Sequence, residues 1–111
     1  MKSTHDKWKG FYASLQGPFP PEDLSVPLKA LWLVKNGRWE EAHDLVNDLE
    51  TDEAMHVHAH LHRVEGDTGN AAYWYRRAGE PVFRGSTDSE WESIVRRQLQ
   101  TGAGPQSGPV S

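Results

Sequence analysis

Two stretches of the chain carry the same spacing of small and apolar residues at one offset, 29 positions (66 − 37 = 71 − 42 = 75 − 46). Gly37 is matched by Gly66, Ala42 by Ala71 and Val46 by Tyr75, while Ala30 and Ala59 each precede a glycine by seven residues. Small side chains on two consecutive helices let their axes approach closely, and a glycine between them reaches the backbone conformation of a tight turn. The pattern predicts two helical hairpins, over residues 26–50 and 52–79, and with them an all-α fold.

The flanking sequence extends this reading. Trp8, Phe11, Tyr12 and Leu15 recur at spacings of three and four, which predicts an amphipathic helix over 4–15 with Thr4 as its cap and Asp6 in its first turn. The run GPFPP at 17–21 cannot continue a helix, because proline lacks the donor and clashes with the preceding turn. A second helix is predicted over Val26 to Lys35, with Ser25 as cap and Pro27 in the first turn, and its LKALWLV core is apolar on most sides. A third, Trp39 to Leu49, stacks Trp39, Ala42, Val46 and Leu49 on one side and turns Glu40, Glu41, Asp44 and Asp48 to water.

Helices over 53–65 and 70–78 follow, separated by Gly66, Asp67, Thr68 and Gly69. The last, over 88–100, begins at a capping box from Thr87 to Glu90 and carries Trp91, Ile94, Val95 and Leu99 on its apolar face. About six helices thus form one domain over 1–100. The tail at 101–111, TGAGPQSGPVS, has no core-forming residue and is predicted to be disordered.

Composition narrows the chemistry. Apolar residues are only 36% of the 111, so the core must rest on a few large side chains, for which five Trp, three Tyr and three Phe are available. With no cysteine, thiolate catalysis and thiolate metal sites are excluded, and His and carboxylates remain as the ordinary metal ligands. A net charge of −4 argues against a nucleic-acid partner. No apolar run has membrane-spanning length and no basic-then-apolar leader opens the chain, so neither a membrane partner nor a signal peptide is expected and the cytoplasm is the default. EGDTGN lacks the strand and the Lys-Ser/Thr of a phosphate loop, no serine sits in a nucleophile elbow, and no catalytic residue is assigned.

NGRWEEAHDLVNDL resembles the turn and second helix of a tetratricopeptide repeat, with a glycine, an aromatic two positions on and an alanine three further. AAYWYRRA, through Ala71, Trp74, Tyr75 and Ala78, is similar to the ending of a Sel1-like repeat. The resemblance covers about residues 26–79. It departs from pattern in its offset, short of the tetratricopeptide period of about 34 residues, and at Gly79, where the Sel1-like pattern repeats alanine. It implies a divergent two-unit array capped by the terminal helices. It also implies a groove lined by Glu53, His56, His60 and Arg63 that faces a protein or peptide partner, with His58 and His62 at packing positions.

Residues 55–79 hold four of the six His. Helical residues two apart point about 200° apart, whereas i and i+4 share a face, so His56 pairs with His60 and His58 with His62. Each pair has two-ligand metal spacing. A third ligand would be Glu65, three residues beyond His62, or His43 arriving from another helix; HExxH is absent because Ala59 follows His58. The competing reading for His58 and His62 is a hydrogen-bonded packing role with Tyr73, Tyr75, Asn70 or Glu65 as partners, since unpaired buried imidazoles are costly.

On the following helix Trp74, Ala71 and Ala78 form a packing stripe. Tyr73 and Arg77 share another face, where Arg77 either stacks on the ring or holds an anion. The residues therefore support a non-enzymatic protein- or peptide-binding module without cofactor. The alternative is a small-molecule or metal-binding protein, zinc or a similar divalent ion at His58, His62 and Glu65, using the His/Tyr/Arg cluster of 56–77.

Overall fold

The computed structural model describes residues 3–100, so the expected tail at 101–111 lies outside the described residues. The fold is all-α: α1 (Thr4–Ser14), α2 (Val26–Lys35), α3 (Trp39–Val46), α4 (Asp52–Val64), α5 (Thr68–Ala78) and α6 (Thr87–Gln100), with no strand among the described residues. Local chemistry sets most boundaries. Ser25 accepts from the Leu28 N–H at the start of α2, and Thr51 from the Ala54 N–H at the start of α4. Ser3, rather than Thr4, caps α1 by accepting from the Asp6 N–H. Asp67 accepts from the Asn70 N–H and starts α5 at Thr68, two residues before the expected Asn70. No side chain caps α3, which stops at Val46 and leaves Leu49 beyond its end.

Gly37 and Gly66 both turn with positive φ, +76° and +88°, a region that disfavours any side chain with a β-carbon. They join α2 to α3 and α4 to α5, whose packing dominates the molecule, and α3 against α4 brings the two hairpins together. The main core gathers Leu28, Leu31 and Trp32 of α2, Val46 of α3, Val57 and Leu61 of α4, and Trp91, Ile94 and Val95 of α6, with Phe11 of α1 at its edge. A second cluster, Ala59, Ala71 and Tyr75, fills the contact of α4 with α5. Indoles at the core donate where their burial requires it: buried Trp91 Nε1 to the Leu31 carbonyl and half-buried Trp39 Nε1 to the Leu61 carbonyl, both 2.7 Å.

The sixth helix lies against α2 and α4, the first helix of each hairpin, and α1 covers it from outside. It therefore occupies the side of α4 on which a peptide groove was expected. No helix among the described residues is long and apolar enough to cross a membrane.

Candidate functional site

Thirteen residues of α4 place four imidazoles in two environments. His56 and His60 turn towards α6. His60 is 1% exposed rather than outward-facing, and its Nδ1 donates to Glu90 Oε1 over 2.8 Å. Arg63 Nη1 donates to the same oxygen over 3.0 Å, and its Nη2 to the Gly85 carbonyl over 2.6 Å. The Tyr75 hydroxyl donates to Glu90 Oε2.

Burial pushes the Glu90 carboxyl up, but the bonds from His60, Tyr75 and Arg63 together hold it below the usual carboxylate range. Burial, then the Glu90 bond, raises the Tyr75 phenol well above its ordinary value. The expected capping role of Glu90 is not realised: Ser86 Oγ accepts from the Ser89 N–H instead, and Glu90 is fully buried. Its position four residues before Ile94, on the apolar face of α6, is the signal that sequence reasoning passed over.

With His60 and Arg63 committed to Glu90, the predicted groove wall is reduced to His56 and Glu53. They line a cavity of about 170 Å³ with Asp52, Glu80, Ile94, Arg97 and Gln98. Burial lowers the His56 pKa there, against the raising influence of Glu80 and Glu90. Glu80 is already engaged by Arg97, which donates to both its oxygens over 3.1 and 2.7 Å.

The other face of α4 turns His58 and His62 towards α3 and α5, and there His43 of α3 joins them. One nitrogen atom from each of the three residues lies within 4.8 Å of the others. His43 Nε2 and His58 Nε2 share a hydrogen bond of 3.1 Å, with the rings edge to face. His62 Nδ1 donates to Glu65 Oε2 over 2.7 Å. The rings are bracketed by indoles: Trp39 is parallel to His43 at 4.8 Å and Trp74 to His58 at 3.9 Å.

Burial lowers the His58 pKa to about 4, helped by the nearby His43, His62 and Arg77, so the ring is neutral at neutral pH. Burial, then His62, also lowers His43. His58 Nδ1 is buried and has no hydrogen-bond partner among the described residues. Such an atom normally finds one.

The remaining expected residues divide. Arg77 does lie over Tyr73, 5.9 Å from the ring centroid, and closer to Trp74 at 5.0 Å, on the exposed side of α5. Ala71 and Ala78 pack as expected, but Tyr75 rather than Trp74 is the buried aromatic of that helix, and Trp74 is only partly covered. The carboxylate of Glu65 serves His62 rather than joining the three nitrogens. No family profile, curated protein or solved structure matches the chain.

Proposed function

We propose that this chain is a divalent-metal-binding helical domain whose ligands are His43, His58 and His62, with the ion held across the seam between the two hairpins. The observation that carries this reading is the convergence of one nitrogen from each of three imidazoles within 4.8 Å of one another. A tetrahedral ion with metal–nitrogen bonds near 2.0–2.1 Å separates its ligands by about 3.3 Å, so ring rotations of about an ångström close the set. All-imidazole donors suit zinc, copper, nickel or cobalt and not magnesium or calcium.

Two features support a prepared site. A neutral His58 is already in the ligand form, and no proton need be expelled from it at neutral pH. The Glu65 carboxylate, accepting from His62 Nδ1, directs Nε2 as the ligating atom and acts as an outer-shell partner rather than a ligand. The paired hairpins and their turn glycines support the divergent tetratricopeptide-like organisation, but α6 fills the groove a peptide would take, which weighs against peptide capture there.

Calorimetric titration of untagged protein tests the reading. Zinc or nickel binds at one ion per chain, magnesium does not, and His43→Ala removes the binding. An absence of stoichiometric zinc, nickel, cobalt or copper binding would sink it.

A further inference from the structure

Resting on that metal reading, we infer that the bound ion keeps one coordination position open to solvent and takes there an imidazole nitrogen from a histidine in a basic partner polypeptide. Three side chains contribute to the centre. The carboxylates nearest to it have other work: Glu65 accepts from His62, and Asp67 accepts from the Asn70 backbone and side-chain N–H groups, both at 3.1 Å. A tetrahedral ion with three protein ligands completes its shell from outside.

The direction of approach follows from burial. His58 is 1% exposed with Trp74 stacked on it, His62 is 7% exposed, and His43 is only half-buried, so the open position lies towards the His43 edge. There Trp39 stacks on His43 and stands edge-on to His62 at 6.1 Å, which holds two of the ligand rings in place beside the open position.

Charge selects in the same direction. Asp44 and Glu65 both act on His43, exposed Glu40 lies one helical turn before it on α3, and Arg77 stands on the far, His58 side against Trp74. These carboxylates disfavour a further anionic ligand. They favour a neutral nitrogen donor carried on a segment with lysine or arginine beside it.

Cobalt(II) reports the coordination directly. The full chain loaded with cobalt is titrated with a short peptide containing one histidine between lysines, with the same peptide carrying alanine in its place, and with acetate. The histidine peptide shifts the visible absorption of the cobalt saturably, the alanine peptide does not, and acetate needs at least tenfold more ligand. Glu40→Lys with Asp44→Lys leaves the cobalt spectrum intact and weakens the peptide at least tenfold at low salt.

A cobalt spectrum that no donor moves overturns the open position while sparing the metal reading. Acetate binding as tightly as the peptide overturns the nitrogen preference. If the peptide binds only after Glu65→Gln, Glu65 itself closes the shell and the inference fails. A chain that takes up no cobalt, zinc or nickel loses both readings together.

Discussion

The α6-facing and α3-facing sides of α4 place histidines at the same spacing on one helix, yet only the first gathers its donors on one fully buried carboxylate. Around Glu90, a fully buried carboxylate is answered by an imidazole, a guanidinium and a phenol drawn from α4 and α5. Around His58, three imidazoles meet, the one carboxylate bonded to them is the part-exposed Glu65 on His62, and the buried His58 Nδ1 has no partner among the described residues. A network whose members satisfy one another fixes the helices that carry it, whereas a set of like donors needs something from outside. The contrast separates the part of α4 that holds the fold from the part to which we assign metal binding.

The sharpest way to break this comparison is to remove the carboxylate. Glu90→Ala strands Arg63 and His60 beside a buried void and costs about 3–5 kcal/mol in urea denaturation; a loss below about 1 kcal/mol would show that the network is not what anchors α6.

Acid should act through His58 on the other face, with His43 and His56 shifted in the same direction. His58 binds a proton near pH 6.5 when unfolded and only near 4 when folded, so the unfolded state holds the extra proton between those values. Stability therefore falls as pH drops from 6.5 to 4, by about 3 kcal/mol, and levels off for this group below 4. His58→Phe should flatten that slope, measured by denaturation at each pH. An unchanged slope would assign the acid sensitivity elsewhere.

Zinc comes next in size. At a hundredfold excess over its dissociation constant it adds about 2.7 kcal/mol, seen as a rise in the melting temperature that His43→Ala abolishes while Glu90→Gln retains it. Smallest is the effect of His58→Phe itself at neutral pH, within about 1 kcal/mol of wild type, because the bond lost to half-buried His43 is offset by removing a buried Nδ1 that has no partner. A larger loss would mean that the three-imidazole face, too, supports the fold.

Most helices were legible because their signals are local: Ser25 with Pro27 for α2, and the glycines at 37 and 66 for the turns. Where a local signal competed with a distant one, the reading failed. Thr87 and Glu90 have the spacing of a capping box, but three hydrogen-bond donors 15 to 30 residues away claim Glu90 for the interior. The same network explains Tyr75, whose hydroxyl finds an acceptor only once α6 has docked, so that Tyr75 is buried and Trp74 is not. His43 belonged to the candidate ligands from its residue type alone. Its convergence with His58, 15 positions away, depends on how α3 crosses α4.

The stacking of Trp39 on His43 and of Trp74 on His58 gives the domain an optical reporter of its own. An indole in face contact with an imidazole changes its emission when that ring gains a proton or an ion. Trp91, 3% exposed and bonded to the Leu31 carbonyl, stands apart from those rings as a steady background. Fluorescence of the unlabelled chain can therefore follow events at the three-imidazole face through Trp39 and Trp74.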